Sequence, residues 1–179
     1  MLTEFAAITA LITALFLLLI LSIIDLRVRL LPNVLVFPFA VLGVLFHVVT
    51  DFQILSWKDM FIGGAVGYGF LFFLRMAANA YYKQDSLGLG DVKLMGAAGL
   101  WLGMEGVLVA LTVGAFAGLV HGVLYAIVIA IKNKTLPNMK RLAIPAGPGF
   151  VVGIIISGFW VFQDYPAVNG LAELVLSRL

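Results

Sequence analysis

Apolar stretches alternate with short polar segments along the whole chain. A helix needs about 20 largely apolar residues to cross a bilayer. Against that length the pattern predicts six spans, at about Phe5 to Ile24, Val34 to Val49, Met60 to Tyr81, Val92 to Met104, Gly106 to Ile131 and Gly147 to Phe162. The fourth is short and the fifth is long. The links between them are polar: Asp25 to Asn33, Thr50 to Asp59, Tyr82 to Gly90 with Lys83, Gln84, Asp85 and Ser86, and a basic loop from Lys132 to Arg141. The tail, Pro166 to Leu179, has the pattern of a short amphipathic helix lying on the membrane surface. Small residues recur at four-residue spacing in Gly63/Gly67, Gly114/Gly118/Gly122 and Gly149/Gly153/Ser157. In lipid such stripes let helices approach closely, so they are read as packing and assigned no chemistry.

Composition fixes the class. The 179 residues are 63% hydrophobic and only 11% charged, too little charge to cover a soluble domain of this size. The expected fold is all-α, a polytopic membrane helix bundle that forms a single domain over residues 1–179. The first apolar stretch does not read as a cleavable signal peptide. It opens with Glu4 in place of a basic region, and no A-x-A-like site precedes Asp25. There is no cysteine, which excludes disulfides, thiolate metal sites and cysteine nucleophiles. With only His47 and His121 present, no metal site and no cofactor are expected. A net charge of +2 gives no reason to expect nucleic acid as a partner.

The positions of the charges orient the bundle. With the N-terminus outside, the inner loops and their flanks hold Arg27, Arg29, Arg75, Lys83, Lys93, Lys132, Lys134, Lys140 and Arg141, leaving only Lys58 and Arg178 outside. The positive-inside rule prefers that arrangement. Only three acids, Asp25, Asp85 and Asp91, then face the cytoplasm.

Asp25 ends a descending helix and Asp91 begins an ascending one, so topology puts both at a similar depth near the cytoplasmic interface. Ionisable groups at membrane depth are costly and are functional candidates by default. Two carboxylates brought together do not both ionise easily, so such a pair retains a proton. The charged partner can then deprotonate water while the neutral one donates a hydrogen bond to a substrate carbonyl. Asp91 follows Gly88-Leu89-Gly90, a sterically permissive loop that lets backbone approach an extended peptide.

Plainer readings stand beside this one. Asp91 also fits an N-cap of the fourth helix. Asp25 also fits a solvated residue paired with Arg27 or Arg29. Asp85, among polar neighbours, reads as a solvated loop residue. Lys93 is a candidate for tuning Asp91 or binding an acidic substrate group, and equally a snorkelling interfacial lysine. His47 and His121 read as hydrogen-bonded histidines inside apolar spans. Ser86 and Ser157 lack a nearby base, which disfavours a serine hydrolase.

Three segments resemble one family. Gly88-Leu-Gly-Asp-Val-Lys-Leu-Met-Gly-Ala-Ala-Gly-Leu-Trp-Leu-Gly103 is similar to the G-x-G-D motif and following helix of type IV prepilin peptidases. Ile24-Asp-Leu-Arg-Val-Arg-Leu-Leu-Pro-Asn33 resembles that family's first aspartate motif, and Ile144-Pro-Ala-Gly-Pro-Gly-Phe150 its late proline-glycine segment. The resemblance implies a membrane aspartyl endopeptidase of the bacterial inner membrane with its active site facing the cytoplasm. Its partners would be the lipid bilayer and a prepilin or pseudopilin substrate, whose short basic leader it removes. It implies Asp25 and Asp91 as the catalytic pair, with Gly88 and Gly90 shaping the active-site loop. Larger family members carry a cysteine-bearing cytoplasmic domain and N-methylate the new terminus. This chain has neither the cysteines nor room for that domain, so peptidase activity alone is expected, and its short form resembles those serving Flp/Tad-type pili. The alternatives are a small proton-coupled transporter, which needs polar residues continuing through the bundle, and a non-catalytic pilus or secretion assembly subunit.

Overall fold

The computed structural model describes residues 2–85, 87–133 and 145–165. The expected tail helix, Ser86, most of the basic loop and Ile144 of the third motif lie outside the described residues. The described chain is all-α: α1 is Leu2–Val28, α2 Asn33–Val49, α3 Trp57–Tyr82, α4 Leu89–Asn133 and α5 Gly147–Phe162. By length and composition α1, α3 and α4 suffice to cross a membrane; α2 and α5 are apolar but shorter, at 17 and 16 residues. The outward surface is apolar, with Phe16, Phe73, Phe116 and Phe159 between 62% and 69% exposed. Such a surface suits lipid and not water.

The predicted fourth and fifth spans meet end to end in α4. No polar loop separates them. The helix instead breaks at Gly103, where φ is 68° and ψ −175°. An L side chain rarely adopts that φ, so a glycine allows the turn without an interruption in the apolar pattern. Another helix end also differs from the expected one. α1 continues past Ile24 to Val28 and stops where Arg29 takes φ 55° and donates its N–H to the Asp25 carbonyl at 2.8 Å. Asp25 therefore lies inside the last turns of α1 and not after it.

α4 is the centre of the bundle, packed against α3, α5 and α2, while α1 packs on α2 and α5. The small-residue stripes explain the closeness. A Cβ at Gly63, Gly67 or Gly99 would run into the facing backbone across the α3–α4 seam. Gly149 and Gly153 stand in the same relation to Gly114 across the α4–α5 seam. The core at the end away from the aspartates is aromatic: Phe39 stacks on Trp101 at 5.6 Å, Phe46 lies tilted against Trp101, and Phe162 stands edge-on to both Phe46 and Trp101. Gly43 leaves the space the Trp101 indole fills, and the indole N–H donates to the Phe39 carbonyl at 2.8 Å.

Candidate active site

Asp25 and Asp91 are buried at 5% and 7% exposure, unusual for ionisable side chains. α1 brings one and α4 the other to the same end of the bundle, close enough for the charge of Asp25 to act on Asp91. Each carboxylate is held by a backbone N–H of a glycine. Gly147, the first residue of α5, donates to Asp25 Oδ2 at 3.0 Å. Gly88, just before α4, donates to the Asp91 carboxylate. Asp91 thus sits in the first turn of α4 and reaches back to the residue ahead of the helix, the carboxylate half of a capping box. Its Oδ1 is buried and has no partner. A buried acceptor left open in this way is costly in a folded chain and calls for a ligand, a water or a chemical role.

Each glycine leaves room for its carboxylate, Gly147 more stringently than Gly88. A Cβ on Gly88 would lie 2.8 Å from Asp91 Oδ2, and one on Gly147 2.6 Å from Asp25 Oδ2. Gly90 differs from its expected place. It is helical, in the first turn of α4, and not part of a loop. Its missing side chain admits Leu31, whose Cβ would be 2.8 Å from a Cβ there. The Asp91 carboxylate reaching back to Gly88 starts the helix earlier than the glycine pattern suggests. The two motif segments are also tied by Lys93, whose Nζ donates to Asn33 Oδ1 at 3.1 Å. Lys93 is thus a strap between α2 and α4.

Asp85 stands apart. It is 80% exposed, accepts from Arg75 at 2.8 Å and from Asn79 Nδ2 at 3.0 Å. The Arg75 Nε also donates to the Leu87 carbonyl at 2.8 Å, so Arg75 pins the α3–α4 connection from both sides. His47 is fully buried far along the chain, with Nε2 3.0 Å from the Trp101 carbonyl. A carbonyl only accepts, so that contact puts the proton on Nε2. The break at Gly103 lies two residues after Trp101, beside this contact. His121 stacks on Tyr125 at 6.4 Å. Ser157 donates to the Gly106 carbonyl at 2.6 Å, a packing bond and not a nucleophile's. Among the described residues no three His, Cys, Asp or Glu side chains are grouped to hold a metal.

Gly147, Asn33 and Arg75 receive no role from the sequence alone. The Gly147–Asp25 bond joins residues 122 apart, and no local pattern announces it. Asn33 carries a weak signal as the polar residue after Pro32.

The model of the type IV leader peptidase family matches residues 12–123, an interval that contains both aspartates. The prepilin leader peptidase/N-methyltransferase of Escherichia coli (strain K12) is 32% identical over 146 residues, covering 81% of this chain and 60% of that protein. The protein of the same description from Pectobacterium carotovorum is 33% identical over 146 residues, 79% of this chain and 49% of the relative. That from Aeromonas hydrophila is 31% identical over 140 residues, 78% and 45%. The chain therefore spans about half the length of these curated relatives. No solved structure matches it at a significant level. The family match covers more than half of the chain and makes it a member of the type IV leader peptidase family.

Proposed function

We propose that the protein is a membrane aspartyl endopeptidase that removes the short basic leader of type IV prepilins or pseudopilins, of the Flp/Tad type, at the cytoplasmic face of the bacterial inner membrane. The observation that carries this reading is the pair of buried carboxylates, Asp25 and Asp91, delivered by two helices to one end of an apolar bundle. The family and its relatives, named prepilin leader peptidases, supply the class of substrate.

The chemistry follows from the pair. One carboxylate, ionised, takes a proton from water as the oxygen adds to the scissile carbonyl carbon. The other, protonated, donates to the carbonyl oxygen. On collapse the C–N bond breaks and the leaving nitrogen takes a proton from the dyad. The unpartnered Oδ1 of Asp91 is free for such a donor or acceptor role. No metal and no covalent nucleophile enters.

A proton relay through the bundle finds less support. Among the described residues the buried ionisable groups are the two aspartates at one end, Tyr165, and His47, whose Nε2 is engaged by a backbone carbonyl beside the Gly103 break while its Nδ1 has no partner, and these do not line up as a path through the bundle. Incubation of the wild type, Asp25→Asn and Asp91→Asn with a prepilin, followed by the mass of the product, tests the proposal. Leader loss in the wild type and none in either variant is expected. Cleavage by either variant at the wild-type rate would end the dyad assignment.

A further inference from the structure

α3 caps its own N-terminus: the Ser56 hydroxyl accepts the Asp59 N–H at 3.2 Å. α2 starts at exposed residues, Asn33 and Val34, and the Leu35 and Val36 N–H groups are taken by the Pro32 carbonyl. α5 has neither a capping side chain nor an exposed start. Its N-cap position is Ala146, which has no side-chain acceptor, and Gly147, Gly149 and Phe150 of its first turn are buried. Pro148 removes one of the orphan donors because it has no N–H. The Phe150 N–H is taken by the Ala146 carbonyl at 3.2 Å. The Gly147 N–H goes to Asp25, on α1.

We infer that Asp25 is the N-cap of α5, supplied from across the bundle, and that Gly147 is the positioning residue that holds the Asp25 carboxylate. A carboxylate at a helix N-terminus answers both the open N–H groups and the positive end of the helix dipole. The contact works in both directions. α5 gains the cap its own sequence omits, and Asp25 gains a fixed direction for Oδ2. A rotamer that turned Oδ2 away would leave the buried Gly147 N–H without a partner. Only glycine at 147 allows this approach, because a Cβ would lie 2.6 Å from Oδ2 and 2.9 Å from Cγ of Asp25. The third motif of the sequence thereby delivers a backbone amide to the aspartate of the first. The cap is a structural claim that stands by itself. The consequence for turnover rests on the peptidase reading above.

The test uses the full chain in detergent or proteoliposomes with Asp25→Asn, Asp25→Ala and Gly147→Ala. Asparagine keeps an acceptor oxygen for the Gly147 N–H and alanine keeps none. Thermal midpoints should therefore separate, with Asp25→Asn close to wild type and Asp25→Ala lower by about 3 °C. In Gly147→Ala the displaced carboxylate should lower kcat for prepilin cleavage by about 100-fold, with KM within threefold of wild type. A general loss of structure would move both constants and the midpoint together, so the split between them identifies positioning. Equal midpoints for Asp25→Asn and Asp25→Ala would overturn the cap, and full kcat in Gly147→Ala would overturn the positioning role. If Gly147→Ala does not fold, the Asn/Ala comparison still decides the cap. If the wild type cleaves no prepilin while the midpoints separate as expected, the peptidase reading fails and the cap stands.

Discussion

At residue scale, burial and hydrogen bonding separate three acids that look alike in the sequence. Asp25 and Asp91 lose water and receive a glycine N–H each, while Asp85 stays in solvent between Arg75 and Asn79. An ion pair this exposed contributes about 0–1 kcal/mol. Asp85→Asn should therefore keep prepilin cleavage within about threefold of wild type, since side-chain changes away from the reacting atoms cost little. Loss of activity comparable to that of Asp91→Asn, read in the same cleavage assay, would make Asp85 a candidate for the dyad. His47 makes the opposite case. It is buried and bonded yet distant from the aspartates. His47→Ala should cost about 2–4 kcal/mol of stability, from the cavity and from the Trp101 carbonyl left without its partner. Turnover per folded molecule should not change. Denaturation in mixed micelles together with the specific activity of the folded fraction checks both statements.

At element scale, periodicity and apolar length were enough to locate every helix among the described residues. They were not enough to describe how two of the spans join. Gly103 is one glycine among many in the sequence, and nothing local marks it as the one with positive φ among the described residues. Its conformation follows from tertiary packing against Leu55 and from α3 crossing at Gly63. Gly103→Ala should lower stability by about 1–2 kcal/mol from the left-handed backbone alone, more if Leu55 does not give way. A thermal midpoint unchanged from wild type would show that α4 does not need this break. The site was legible in part for the same reason. Gly88 and Gly90 point to Asp91 as a permissive loop, but Gly90 is helical and what holds Asp91 is its local contact with Gly88. The partner of Asp25 was not legible, because Gly147 is far away in sequence and acts through its backbone, which carries no residue-type signal.

At the scale of the whole molecule, the proposed sidedness rests on the charge pattern. The end of the bundle holding Asp25 and Asp91 also carries Arg27, Arg29, Lys83 and Lys93, and the proposal puts this end in the cytoplasm because the positive-inside rule favours it there. The chain has no cysteine, so a single introduced thiol reports position without background. Lys83→Cys should react with an impermeant maleimide only after the membrane is opened, and Gln53→Cys should react in intact cells. The reverse labelling would invert the topology and place the dyad on the wrong side for a cytoplasmic leader. Whether the two buried aspartates cleave the leader is decided by product mass. Purified wild type, Asp25→Asn and Asp91→Asn are each incubated with one prepilin, and the rate of leader release is measured by mass spectrometry. The dyad predicts cleavage by the wild type and rates lower by about 100-fold or more in each variant, the scale of a lost general acid or base. Wild-type rates in either variant would contradict it.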